Sequence, residues 1–216
     1  MFKLFFDTEF TGLHKDTTLI SIGIISDKGD SFYAELTDYD KSQINDWIND
    51  NVIENLYLNS NNTYLNTSRE IELELENQIT QGTNLIYELR LLGSKKFIRN
   101  GLEIWLKKIY EREQKQILMV SDVCHYDFIL FIDLFGDAFS LPEFICPYCH
   151  DINNDIARYF NINEYEAFDY NREQILDKLV MRVITGYKHN AFYDAAVIKA
   201  IYEKINKVWY NISDLL

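Results

Sequence analysis

Short apolar runs and helically spaced apolar positions divide the chain. Residues 3–6 form a short run, apolar after Lys3, that reads as a buried strand, and 19–26 form a second, isoleucine-rich run. Asp27, Lys28, Gly29 and Asp30 supply turn chemistry before a third strand at 32–36, which predicts a hairpin. Between 42 and 58, Ile44, Trp47, Ile48, Val52, Ile53 and Leu56 recur at near-helical spacing. Residues 59–66 are polar and read as a loop. Ile71, Leu73 and Leu75 then alternate with glutamates, as Leu85, Tyr87 and Leu89 alternate with polar neighbours. With Gly82 between them, the two runs read as a hairpin in preference to a glutamate-rich helix. Ser94 is placed to cap a helix carrying Ile98, Leu102, Trp105 and Ile109. A strand at 117–123, a helix at 126–135 and helices near 152–160, 172–184 and 189–206 complete the pattern. The expected fold class is α/β: a mixed sheet, its first three strands an antiparallel meander, flanked by helices.

The chain has 216 residues, enough for one domain with a real core, and no composition shift marks a boundary within 1–216. Its 47% apolar and 15% aromatic content excludes disorder of the whole chain. Lys and Arg total 21 against 34 Asp and Glu, a net charge of −13 that excludes holding a polyanion or a membrane by bulk attraction. No apolar run is long enough to span a membrane, and Asp7 interrupts the start before a signal core could form. Three cysteines are an odd number and make no disulfide framework, so the expected compartment is the cytoplasm.

Candidate chemistry begins where the first strand ends. Asp7 and Glu9 are two apart, so on an extended backbone both carboxylates face one side. Two converging acids repel unless a cation joins them, and an all-oxygen site suits Mg2+ or Mn2+. Asp127 follows the strand at 117–123. His189 and Asp194, five apart, open the last predicted helix. Singly, each has a bland reading: a solvated acid pair, a helix-terminal acid favoured by the dipole, a surface histidine.

Together these residues resemble the DEDDh exonucleases, 3′–5′ nucleases of ribonuclease-H-like fold. Phe6-Asp7-Thr8-Glu9-Phe10-Thr11-Gly12-Leu13 matches the first motif. Asp122-Val123-Cys124-His125-Tyr126-Asp127 matches the second, with Asp122 where asparagine is common, and His189 through Asp194 the third. The resemblance covers residues 1–55 and 93–207, so 60–91 reads as an insertion into a single exonuclease domain. The first motif looks most like a bacterial and phage branch that includes an exoribonuclease. The resemblance implies that Asp7, Glu9, Asp127 and Asp194 hold two divalent ions, Mg2+ or Mn2+. It implies His189 as the base that takes a proton from the attacking water, and nucleoside 5′-monophosphates as products. Thr11 and Leu13 would lie against the terminal nucleotide, and Arg182 and Lys188 would guide the substrate. The implied partner is the 3′ end of single-stranded nucleic acid, RNA before DNA. Many relatives are dimers, which leaves a homodimer open, although no dimer surface is legible.

Two other classes fit the sequence less well. A non-catalytic nucleic-acid-binding module would not need four acids and His189. Cys146-Pro147-Tyr148-Cys149 has redox spacing, but the only other proline, Pro142, precedes it, so a downstream cis-proline is missing. With Cys124, His125 and His150 the cysteines fit no common zinc spacing and read as buried thiols. Phe128, Phe131 and Phe135 read as core. Lys95, Lys96, Arg99 and Lys107 form a basic stretch that reads as a solvated helix face before a phosphate grip.

Overall fold

The computed structural model describes residues 1–58, 68–79, 85–176, 181 and 184–213. Its strands are β1 (Phe2–Phe10), β2 (Leu19–Ser26), β3 (Ser31–Leu36), β4 (Glu88–Gly93), β5 (Ile117–Ser121) and β6 (Ile145–Asp151). They form one sheet in the order β4-β3-β2-β1-β5-β6. The β1–β2 and β2–β3 pairs are antiparallel, and the β1–β5, β3–β4 and β5–β6 pairs are parallel. The expected mixed sheet with its antiparallel meander is therefore present. No described helix is long and apolar enough to cross a membrane.

The helices are α1 (Asp46–Asn51), α2 (Ser68–Ile79), α3 (Lys95–Glu113), α4 (Cys124–Phe135), α5 (Asn153–Phe160), α6 (Glu164–Asp169), α7 (Arg172–Ile175) and α8 (Ala191–Ser213). One face of the sheet carries Leu4, Phe6 and Phe32 against Leu102 and Trp105 of α3 and Phe131 and Phe135 of α4. The other face carries Phe5 and Val120 against Ile156 of α5 and Val197, Ile198 and Ile201 of α8. Burying a ring such as Phe32 or Phe131 completely stabilises by roughly 1.5–3 kcal/mol before entropy is counted. The aromatic run at 128–135 is core, as its spacing predicted.

Several elements depart from the pattern reading, each for a local reason. The stretch 42–58 holds only α1 between two 3-10 turns. Its asparagines bond the backbone in place of continuing a helix: Asn45 caps Ile48 N–H, Asn51 donates to the Trp47 carbonyl, and Asn55 to that of Asn51. The predicted hairpin at 71–89 is not formed. Its first arm lies in helix α2, where Ile71 and Leu75, four apart, are the buried pair, and glutamate suits a helix. Its second arm becomes β4, parallel to β3 at the sheet edge. Strand β6 was not anticipated, because its sequence, Ile-Cys-Pro-Tyr-Cys-His-Asp, shows no alternation. Its proline is tolerated because β6 is an edge strand. Cys146 and Cys149 lie on its opposite faces, one in each core, so they do not act as a pair. Ser94 caps α3 as expected, accepting from Phe97 N–H. Lys95, Arg99 and Lys107 pair with Asp133, Glu103 and Glu111, as a solvated helix face would.

Candidate active site

Strand β1 runs further than its apolar stretch and carries Asp7 and Glu9 within the sheet, opposite Gly23 and Ser21 of β2. Parallel β5 beside it ends at Ser121, and the chain turns into α4, which delivers Asp127 from its first turn. Helix α8 crosses the other side of β1 and β2 and brings Asp194 from its own first turn. Gly23 permits that approach: a Cβ there would stand 2.4 Å from the Ala191 carbonyl oxygen and the Phe192 nitrogen. The start of α8 therefore lies on bare backbone directly beside Asp7.

Each acid is held by neighbours. Asp127, 1% exposed, accepts from the Thr8 hydroxyl at 2.6 Å on one oxygen and from the Ser121 hydroxyl on the other. Asp194 accepts from His189 N–H at 2.8 Å. His189 sits just before α8 at φ +65°, a left-handed conformation seldom adopted by residues other than glycine. Asn190, fully buried, fixes that corner: its amide donates to Tyr33 Oη and the Asn55 carbonyl, and its oxygen accepts from Phe192 N–H. The His189 ring meets the edge of Trp47, with centroids 5.0 Å apart.

Ligating atoms gather in two groups, each within 4.8 Å: Glu9, His189 and Asp194 in one, and Asp7, Asp122 and Asp127 in the other. Burial, then the charges of Asp127 and Asp194, holds the Asp7 carboxyl well above its ordinary value. Glu9 is raised by burial and then by Asp194 and Asp127. Asp127 and Asp194 are each pushed up to about 7, chiefly by burial. His189 is lowered by burial and by Lys188. Clustered carboxylates that resist ionisation fit hard divalent cations, whose charge would remove both the repulsion and the desolvation penalty.

The cleft over these groups has a volume of about 660 Å³, and Leu13 and Lys188 line it as well. A second, more apolar pocket of about 360 Å³ adjoins it between Phe10, Leu13, Trp47 and Val52, and shares Glu9 and His189. Thr11 lines neither. Its hydroxyl is buried, bonded to Gln43 and to Thr18 N–H, and so fixes the loop on which Leu13 stands. Arg182 lies outside the described residues. The sequence reading missed Arg172, whose guanidinium meets Asp122 at 2.9 Å and also bonds Asn153 and the carbonyls of Ala167 and Tyr170. An aspartate where asparagine is common was the one signal that a cationic partner was needed.

No family model matches the chain, and no curated protein does. Solved structures do. The chain is similar to the nuclease domain of 3′hExo, a DEDDh family member bound to rAMP, with a TM-score of 0.58 and 12% identity over 96% of this chain and 92% of that one. It is similar to a full-length 3′-exonuclease, with a TM-score of 0.56 and 9% identity over 96% and 82%. It is also similar to S. pombe Pop2p in its Mg2+- and Mn2+-bound form, with a TM-score of 0.50 and 13% identity over 96% and 84%. At these identities the shared property is the fold, the helix-flanked mixed sheet of ribonuclease-H-like exonuclease domains.

Proposed function

We propose that this protein is a metal-dependent 3′–5′ exonuclease that releases nucleoside 5′-monophosphates from single-stranded nucleic acid, with RNA favoured. The carrying observation is the convergence of Asp7, Glu9, Asp127, Asp194 and His189, from three separate elements, on one open cleft. The DEDDh resemblance of the same residues and the fold of 3′hExo, solved with rAMP, support the direction and the preference. Pop2p, solved with Mg2+ and Mn2+, supports the metals. The odd number of cysteines keeps the cytoplasm as the proposed compartment.

Asp7, Glu9, Asp127 and Asp194 would hold two divalent ions. Such a pair stabilises the attacking and leaving oxygens of an in-line displacement. His189, its imidazole kept neutral by burial, accepts the proton of the attacking water. Its left-handed backbone and the edge of Trp47 fix the ring before substrate arrives. The apolar pocket beside Leu13 and Trp47 is suited to the terminal base and seats the last nucleotide with its phosphate over the acids. Lys188 lies at the cleft to meet that phosphate.

The test is incubation of 5′-labelled RNA and DNA oligomers with Mg2+ or Mn2+, with and without chelator. Stepwise shortening from the 3′ end, abolished by chelator and by Asp7→Asn, is expected. Intact oligomers in every metal would remove the proposal and leave a binding module on this fold.

A further inference from the structure

Glu35 of β3 is 2% exposed, and the chemistry above does not use it. Side chains paired in register across a sheet share a face. Tyr33 therefore stands in the row of Asp7 and Gly23, and Glu35 in the row of Glu9 and Ser21. Glu35 is on the acids' side of the sheet but two strands from Glu9, about 10 Å at the usual strand spacing, too far to share a cation. One of its oxygens accepts from the Tyr33 hydroxyl at 2.7 Å and from the Tyr57 and Leu58 N–H groups, both at 2.8 Å. Burial still holds its carboxyl above the ordinary value, so these donors only partly offset the loss of water.

Two chains of hydrogen bonds lead from that oxygen to the corner that carries Lys188 and His189. In the first, Tyr33 Oη also accepts from the Asn190 amide at 3.2 Å, and Asn190 directly follows His189. The second runs through residues 51–58, a strap whose end Glu35 holds. Asn55 donates to the Lys188 carbonyl at 3.2 Å, and its own carbonyl accepts from the Asn190 amide at 2.8 Å. Tyr57 Oη donates to the Thr185 carbonyl at 3.5 Å and fills the space where a Cβ on Gly186 would stand. Strap and corner are thus one bonded unit. His189 belongs to it, with a ring nitrogen and the carboxylates of Glu9 and Asp194 within 4.8 Å of one another.

We propose that Glu35 is a positioning residue: by accepting from Tyr33, Tyr57 and Leu58 it fixes the strap and Asn190, and through them the place of the His189 ring beside Glu9 and Asp194. The requirement is for an acceptor oxygen at this point, not for a charge. The consequence for turnover rests on the nuclease reading, whereas the placement of the ring is measurable without turnover.

The test compares the wild-type full chain with Glu35→Gln, Glu35→Ala and Tyr33→Phe. In the metal-free proteins it reads the NOE cross-peak between the Trp47 and His189 rings, whose centroids lie 5.0 Å apart, with Trp47→Phe and His189→Ala assigning the signals. In magnesium it reads kcat on a 5′-labelled RNA oligomer. Glu35→Gln keeps an acceptor and should keep the cross-peak, with kcat within about threefold of wild type. Glu35→Ala should lose the cross-peak and about a hundredfold in kcat, as for a displacement on the order of 1 Å. Tyr33→Phe cuts one of the two chains and should weaken the cross-peak and lower kcat roughly three- to tenfold. A folded Glu35→Ala protein with the wild-type cross-peak overturns the proposal, and so does a glutamine variant as impaired as the alanine one. If the alanine variant does not fold, Tyr33→Phe decides: an unchanged cross-peak overturns the proposal and a weakened one upholds it. The expected cross-peaks in proteins that release no mononucleotide in magnesium would keep Glu35 as the residue that places the corner and remove the nuclease reading.

Discussion

The Ala191 carbonyl lies against Gly23, so close that a methyl group at position 23 would stand 2.4 Å from its oxygen. That contact sets the depth at which α8 crosses the sheet, and with it the distance of Asp194 and His189 from Asp7, which pairs with Gly23 across β1 and β2. Gly23→Ala must push the helix outward. A loss of about 1–3 kcal/mol is expected from overpacking, read as a lower Tm. A displacement on the order of 1 Å would also cost turnover about a hundredfold. Unchanged Tm and kcat in the alanine variant would show that the approach of α8 is not set here.

Thr8 is the second positioning residue. It donates to Asp127 at 2.6 Å from the side of β1 facing away from Asp7 and Glu9. Thr8→Val keeps the shape but leaves that oxygen of Asp127 without its donor. The concentration of magnesium needed for half-maximal turnover should rise about 10- to 100-fold, with kcat at saturating metal affected less. A loss confined to kcat, at unchanged magnesium dependence, would contradict a role in holding the ligand.

The candidate site residues were legible through the resemblance of their three motifs to those of the DEDDh exonucleases, whereas spacing alone, Asp7 and Glu9 two apart on a strand and His189 and Asp194 bracketing a helix start, left each with a bland reading. The meander was legible because its apolar runs and turn residues agree. What was not legible depended on partners distant in sequence. Thr11 looked like a substrate contact but is taken up by Gln43 and Thr18. Arg172 carries no local signal, because its partner Asp122 lies 50 residues away. Strand β6 lacks alternation because it is an edge strand with a proline, and it exists through its pairing with β5. The Ile71–Leu75 pair fits either period over so short a run, and burial of both on one helical face decided it.

The acid cluster makes stability depend on pH and metal together. Asp127 and Asp194 titrate near 7 in the folded chain against an ordinary value near 3.8. The raised folded values mean the unfolded chain ionises first. The metal-free protein is therefore most stable below about pH 4 as far as these groups are concerned, and it loses that contribution as pH rises towards 7. Magnesium, bound by the ionised form, offsets the loss. At pH 8 it should raise Tm on the order of 5 °C, and at pH 5 by much less. Equal shifts at both values would argue against metal binding by these carboxylates.

Remote from the cleft, Arg112 ties the β2–β3 turn to the end of α3. Its guanidinium meets both oxygens of Asp30 at 2.7 and 2.6 Å, and Asp30 also accepts from Tyr87 N–H at the approach to β4. Burial would raise Asp30, but the Arg112 and Ser26 hydrogen bonds outweigh it and hold the carboxyl below its ordinary value. The depressed value means that this pair stabilises above about pH 4 and fails as acid drives the pH through the folded value. Arg112→Ala leaves a fully buried carboxylate unpaired, which should cost about 3–5 kcal/mol. Denaturant unfolding at pH 7 measures that loss. Asp30→Asn, which removes the charge and keeps one acceptor oxygen for the Tyr87 N–H, should restore part of it in the double variant. No rescue there would mean that Arg112 acts through its packing against the Tyr87 ring, whose centroid lies 5.3 Å from the guanidinium carbon, and not through the ion pair.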